Sequence, residues 1–354
     1  MGHSFLWGDI MKERKNLIYG LIACCVMMVM ILDTRTAFQS AQEGIGICIR
    51  TVIPSLFPFL ALSSLISSCL LGQRIGFLQP IARFCKIPNG AESLLVLGFL
   101  TGYPIGAQLI TQAYRDKKLS AVTARRMLGF CNNAGPAFLF GMLSPLFANA
   151  KTVWILWAVH ILSALLVSCI LPASKVTATT ISPCDGKSFP ESLQNALKAI
   201  AGICGWVVLF RILLGFCNRW FLWLFPAAIQ VFISGLLELA NGCVLLQNIP
   251  QEGTRFLLSA TMLSFGGLCV GMQTVSVTSE LGTGWYFPGK VLQTVITVLI
   301  STLLQPILFT DSEAASLPLP CLLALVFILL TFIYALYRKK VVAFSGGLMY
   351  NTRK

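Results

Sequence analysis

The sequence predicts an all-α polytopic membrane protein, with about eight transmembrane helices and two re-entrant hairpins arranged as two inverted repeats. Three observations lead there. The first is composition: of 354 residues, 56% are hydrophobic and 11% charged, with a mean hydropathy of +0.80. A soluble domain carries about 25% charged residues, and so much apolar surface cannot be hidden in a water-soluble core. The second is that apolar runs recur at the roughly 20-residue length a helix needs to cross the hydrocarbon. The third is the placement of the positive charge. The net +13 is gathered in short clusters at the ends of those runs, at Lys12–Lys15, Arg115–Lys118, Arg125–Arg126 and Arg338–Lys340. Such placement follows the positive-inside rule and excludes the nucleic-acid partner that so basic a chain would otherwise suggest.

In chain order, residues 1–16 form a basic N-terminus. The apolar run 17–32 is long for the core of a signal peptide, and no small-x-small cleavage site follows, so it is read as a retained first span; Met11 is an alternative start. Further spans are expected at 45–71, 126–147, 152–171, 193–217, 254–277, 289–310 and 319–337. The stretches 91–113 and 219–247 are apolar but interrupted in the middle. The polar segment 172–192 links a first membrane half, 17–171, to a second, 193–337, and 338–354 is a basic tail.

If both interrupted stretches enter and leave by one side, the charge rule is satisfied. The cytoplasmic set is then both termini, the loop with Arg74, Arg83 and Lys86, the segment Arg115–Arg126, the linker, and the loop before Lys290. Outside lie Asp33, Lys151, Arg219, Arg255 and the acidic Asp311–Ala315. Full crossings would put Arg115–Lys118 outside. Trp154, Trp157, Trp220 and Trp223 fall near outer boundaries, and Trp285 and Tyr286 near an inner one, as expected of amphipathic rings.

Each half reads as a span, a broken hairpin, an Arg-led broken span and a span. Arg125 and Arg255 stand equally far ahead of Gly141–Met142 and Gly271–Met272. Since the first unit starts outside and the second inside, the repeats are inverted.

The chemistry is expected at the breaks. Unsatisfied backbone at membrane depth costs several kcal/mol per group, so irregular chain persists only against protein or a wet cavity. Interrupted helices in matching positions of inverted halves point to a solute site. The first candidate is Thr101, Gly102, Tyr103, Pro104 and Gly106 with Gln108, read as a hairpin tip. The second is Asn132, Asn133, Gly135 and Pro136, where the proline frees a carbonyl beside two amides. The third is Glu238 with a tip at Asn241–Gly242, an intramembrane acid being a functional candidate by default. The fourth is Gly266, Gly267, Gln273 and Thr274. The plain alternatives are kinked packing for the Gly/Pro breaks, interhelical hydrogen bonding for the asparagines, and, for Glu238, a position near the interface or an ion pair with Arg211 or Arg219. Arg211 itself reads as a snorkelling side chain or a counter-ion to solute.

Enzyme chemistry finds no footing. His160 stands alone in a span, and the chain has no HExxH, no Gly-x-Gly-Asp and no Walker loop. The thirteen cysteines include no CxxC and mostly sit in apolar runs, as small packing residues would. No cofactor is expected beyond a coupling cation. The expected partners are the lipid bilayer and a small solute, and a homo-oligomer is allowed.

The stretches Val52–Ile66 (VIPSLFPFLALSSLI), Gly98–Ile110 (GFLTGYPIGAQLI) and Phe130–Leu143 (FCNNAGPAFLFGML) resemble the YlbJ-type sporulation integral membrane proteins, which carry nucleoside-recognition, or Gate, domains. The resemblance runs from about Leu17 to Arg338 and is looser in the second half. It implies a distant likeness to concentrative nucleoside transporters and a bacterial membrane around the developing spore. It further implies a transporter or facilitator for a small polar solute, an anion by preference, with dipicolinate as the cargo. The competing expectation is a non-transporting assembly factor of the spore envelope. Candidacy carries over from the family to Gly102, Pro104, Gly106, Asn132, Asn133, Gly135 and Pro136.

Overall fold

The computed structural model describes residues 17–18, 20–173 and 188–309. The expected span 319–337, the N-terminus 1–16, most of the linker 172–192 and the tail 338–354 lie outside the described residues. Within them the chain is helical, without a strand.

The apolar helix α1 (Gly20–Leu32) stops at Asp33, whose carboxylate accepts from the Thr36 backbone N–H and so caps α2 (Thr34–Ile47). A π-helical turn, Cys48–Val52, joins α2 to α3 (Ile53–Leu70), so the expected span 45–71 begins eleven residues early, at Thr34. A short α4 (Gln79–Phe84) leads to α5 (Glu92–Leu100) and α6 (Ile105–Arg115), which flank the first break. Next come α7 (Ala121–Met127), capped by Ser120, a non-helical stretch 128–135 that starts with turns, α8 (Pro136–Leu143) and α9 (Ala150–Ile170). After the linker stand α10 (Phe189–Trp220), α11 (Ala227–Leu237) and α12 (Leu239–Leu245), then α13 (Glu252–Phe265), α14 (Gly267–Val277) and α15 (Tyr286–Leu308).

Polar contacts sort the loops to two ends of the bundle. At one end Asp33 pairs with Arg219 at 2.8 Å, and the Ala148 N–H donates to Glu252 at 2.9 Å. At the other, Arg115 pairs with Glu280 at 2.8 Å, and the Arg125 guanidinium donates to the Leu281 carbonyl while its own carbonyl accepts from the Trp285 N–H. Buried Arg126 donates there to the carbonyls of Cys85, Lys86, Ser168 and Leu171, which end α4 and α9. A cation at a helix C-terminus meets both the orphan carbonyls and the negative end of the dipole.

These ends define the path. The hairpin α5–α6 starts and finishes at the Arg115 end. Its arms of nine and eleven residues reach about 14 and 16 Å, half of a 30 Å hydrocarbon layer. The hairpin α11–α12 starts and finishes at the Arg219 end. Crossing between the ends are α2–α3, α7–α8, α9, α10, α13–α14 and α15.

Among the described residues five stretches are long and apolar enough to span a membrane by themselves: Thr34–Leu70, Ala150–Ile170, Phe189–Trp220, Glu252–Val277 and Tyr286–Leu308. The expected span 126–147 is not one of them. Gly129, the asparagine pair, Gly135 and Pro136 are poor helix formers, and they split that crossing into α7 and α8. Large apolar side chains such as Leu32, Leu209, Trp223, Leu303 and Ile307 face outward, while Asn132, Asn133, Gln293, Thr294 and Lys290 are buried. This reverses the usual placement of polar groups in water-soluble proteins and suits a lipid solvent.

Candidate functional site

The first hairpin turns at Thr101–Pro104, where the Thr101 hydroxyl donates back to the Leu97 carbonyl at 2.6 Å. Gly102 adopts φ +87°, and the Tyr103–Pro104 peptide is cis. A Cβ on Gly102 would lie 2.9 Å from the Gly135 backbone nitrogen, so the two breaks of the first half touch main chain to main chain. A Cβ on Gly106 would lie 2.2 Å from the Cys131 carbonyl oxygen. Pro136, at the first position of α8, needs no N–H partner there.

The second hairpin turns at Glu238, not at Asn241–Gly242 as the sequence suggests. Glu238 is extended, and its carboxylate caps α12, accepting from the N–H groups of Ala240 (3.1 Å) and Asn241 (2.7 Å) and from the Asn241 side chain (2.7 Å). Asn241 and Gly242 are inside α12, the glycine pressed against Gly235 and Met262. The carboxylate satisfies backbone donors that the start of α12 would otherwise leave orphaned, and this fixes the turn at Glu238. The ion pair considered for Glu238 does not form: Arg211 pairs with Glu43 and Arg219 with Asp33. The fourth break is Gly266, left-handed at φ +87°, followed by Gly267 at +82°.

The two halves meet here. The Tyr103 hydroxyl donates to the Leu263 carbonyl, and Gly266 sits against the Tyr103 ring. Gly267 lies against the turn between Gly235 and Leu239. Asn132 accepts from the Ala107 N–H at 3.3 Å and donates to the Thr274 hydroxyl at 3.1 Å, tying α6 to α14. A cavity of about 50 Å3 remains between the breaks. Gly102, Tyr103, Ala134 and Gly135 line it from the first half; Glu238, Ala240 and Gln273 line it from the second. Of the residues singled out in the sequence, the cavity gathers Gly102, Tyr103, Gly135, Glu238 and Gln273. Thr101, Pro104, Gly106, Asn132, Asn133, Pro136, Gly266, Gly267 and Thr274 build its surroundings. Gln108 faces a different cavity.

The sequence reading missed Lys290. It is not at a loop edge but one turn into α15, 1% exposed. Its ammonium donates to Asn133 Oδ1 at 3.0 Å and Gln293 Oε1 at 2.8 Å, and lies 5.3 Å from the centre of the Tyr103 ring. Gln293 also donates to Asn133 Oδ1 (3.0 Å) and to the His160 carbonyl (3.2 Å), while His160 Nε2 accepts from the Ala134 N–H at 3.1 Å. His160 therefore holds the second break rather than standing alone. The missed signal was periodic: positions 290, 294, 297, 301 and 305 are polar and recur every three or four residues in an apolar helix, Gln293 stands beside Thr294, and all six are buried. Among the described residues no group of three or more His, Cys, Asp or Glu side chains is placed to hold a metal.

An apolar-sided, all-helical bundle with its polar groups gathered at helix breaks is an integral, polytopic membrane protein. Compared with known proteins, the chain is similar to the Sporulation integral membrane protein YlbJ of Bacillus subtilis (strain 168), at 23% identity over 327 residues covering 79% of this chain and 80% of that one. The likeness supports the YlbJ-type assignment that the three motifs imply. No family model matches the chain, and no solved structure matches it.

Proposed function

We propose that this protein is a secondary transporter or facilitator for a small polar solute, an anion by preference, in a membrane surrounding the developing spore. One observation carries the reading: two half-length hairpins that enter from opposite ends of the bundle bring their turns, Gly102–Tyr103 and Glu238–Ala240, to one cavity beside two broken crossings. That arrangement supports discontinuous helices built around cargo, with access alternating by movement of one part against the other. It accords with the Gate-domain repeats and the distant likeness to concentrative nucleoside transporters that the sequence resemblance implies. The same resemblance makes dipicolinate the first cargo to test. The Arg115 end would be cytoplasmic, with both termini, and Glu238 or the freed carbonyls would accept a coupling cation.

The test is uptake of radiolabelled dipicolinate into vesicles carrying the purified protein. Accumulation above empty vesicles, lost in Asn132→Ala at normal protein abundance, is the expected result. No uptake of any small anion would instead favour an assembly factor of the spore envelope. One observation favours that second reading: the cavity is narrow, and the breaks around it are packed backbone to backbone at Gly102–Gly135.

A further inference from the structure

The buried face of α15 continues past Lys290 toward the Arg219 end of the bundle. Thr297, Ser301 and Gln305 follow on it, each 4% exposed or less, and the file from 290 to 305 covers about 22 Å. The Thr297 and Ser301 hydroxyls and Gln305 Nε2 have no hydrogen-bond partner among the described residues. α15 packs on α9 and α13, which bring Trp157 Nε1, His160 Nδ1 and the Ser259 hydroxyl, buried and likewise unpartnered. The depths match. The His160 carbonyl accepts from Gln293, so Trp157, nearly one turn on toward the Arg219 end, is level with Thr297. At that end stand Glu252 and Arg255, partly exposed in the first turn of α13. The pattern is selective. Ser163, Thr261, Ser264, Thr294 and Thr302 of the same helices turn their hydroxyls back to the carbonyl four residues before, the local bond open to a helical hydroxyl. Thr297, Ser301 and Ser259 do not. A bare polar atom at membrane depth is costly, and six in one interface call for ordered water between the helices.

We propose that Lys290 carries the coupling proton, and that the interface of α9, α13 and α15 is the hydrated path by which it exchanges with the Arg219 side of the membrane. The proposal rests on the transport reading and names its coupling ion. The Lys290 site holds either form. Its two amide acceptors, Asn133 Oδ1 and Gln293 Oε1, serve the two N–H bonds that ammonium and amine share. The third proton of the ammonium is left to the face of the Tyr103 ring. No carboxylate pairs with Lys290 among the described residues. The titratable groups around it are Tyr103 of the first hairpin, Cys131 of the broken crossing, His160 of α9 and Tyr286 one turn before it; those of α13 are Glu252 and Arg255, far off in its first turn. On release one N–H bond breaks, its electron pair stays on Nζ, and a water of the file takes the proton; loading is the reverse. The hydroxyls of Thr297, Ser301 and Ser259 both donate and accept, so they can relay, while Trp157 and Gln305 Nε2 donate and hold water oxygens. Tyr103 both covers the ammonium and lines the solute cavity. Solute that moves this ring alters proton affinity, and proton loading alters solute affinity equally.

Two measurements test this. The first needs no solute. In nanodiscs, protein with isotope-labelled lysine nitrogens should show one Nζ resonance, absent from Lys290→Met and from Lys290→Arg, that titrates reversibly while the fold stays intact. Combining Thr297→Val with Ser301→Ala should slow exchange of its protons with bulk water about tenfold or more. In the second, a pH gradient across vesicles should drive uptake of radiolabelled dipicolinate. The same double variant should lose about tenfold of that driven rate and keep solute exchange without a gradient within about twofold. A Lys290 resonance that never titrates, or proton exchange untouched by the double variant, would overturn the path. So would a higher melting temperature in that variant, the result of deleting dry, unpartnered hydroxyls. Uptake indifferent to the pH gradient would overturn the coupling role. A titrating Lys290 with slowed exchange, in a protein that carries no solute at all, would uphold the proton site and defeat the transport reading instead.

Discussion

The Lys290 ammonium lies 3.0 Å from Asn133 Oδ1, so α15 is pinned to the broken crossing α7–α8 by a buried cation whose hydrogen-bond partners are neutral amides. Removing an acceptor from a buried charge costs more than removing the charge with its acceptor left behind, because the stranded ion keeps its desolvation penalty. Asn133→Ala is expected to destabilise the protein by about 3 kcal/mol, and Lys290→Met by about 1 kcal/mol. The double variant should be milder than Asn133→Ala alone. Thermal unfolding in detergent measures all three, and equal losses in the two single variants would refute the coupling.

Glu238 offers a second prediction, since its carboxylate alone satisfies two backbone N–H groups at the start of α12. Gln keeps one acceptor oxygen and Ala keeps none. Glu238→Ala should cost about 1–2 kcal/mol and Glu238→Gln less than that. If the carboxylate charge also binds the coupling cation, Glu238→Gln will fold normally and lose uptake; a fully active Glu238→Gln would confine the residue to capping.

The contact of Gly102 with Gly135 gives a third. Alanine at 102 would take a left-handed conformation, at about 1–2 kcal/mol, and push its Cβ into the Gly135 nitrogen. Gly102→Ala should therefore lower the melting temperature and abolish uptake. Gly141→Ala, where a Cβ meets nothing within 4 Å inside α8, should be neutral or stabilising by up to about 1 kcal/mol. A tolerant position 102 would remove the breaks from the mechanism.

Orientation can be read by chemistry. Single cysteines introduced at 116 and 248 follow hairpins that return to opposite ends of the bundle. Impermeant thiol reagents should reach 116 only from the cytoplasm and 248 only from outside. Labelling of both from one face would rule out the inverted arrangement.

The four breaks were legible in the sequence because glycine, proline and paired asparagines stand out against apolar helix formers, and lipid leaves them few uses. The exact second turn was not. Asn241–Gly242 looks like a turn by composition, but the chain bends at Glu238, since a carboxylate can accept three donors there and a glycine can accept none. Gly141–Met142 and Gly271–Met272 match as letters, yet Gly141 meets open space while Gly271 packs on the Phe287 ring. Gln108 lies in a candidate motif but lines a separate cavity together with Ile105, one turn before it, and neither side chain reaches the cavity between the breaks.

By itself the sequence determined that the chain lives in lipid, where three of the four breaks fall, and which loops share an end. These follow from local and additive quantities: hydropathy, helix propensity and the sign of charge. Only the tertiary structure decided that Lys290 lies against Asn133 and Tyr103, that Glu238 caps α12 rather than pairing with an arginine, and that opposite hairpins share one cavity. Those outcomes depend on which neighbour satisfies each buried polar group, and in hydrocarbon that neighbour must come from another segment far away in the chain.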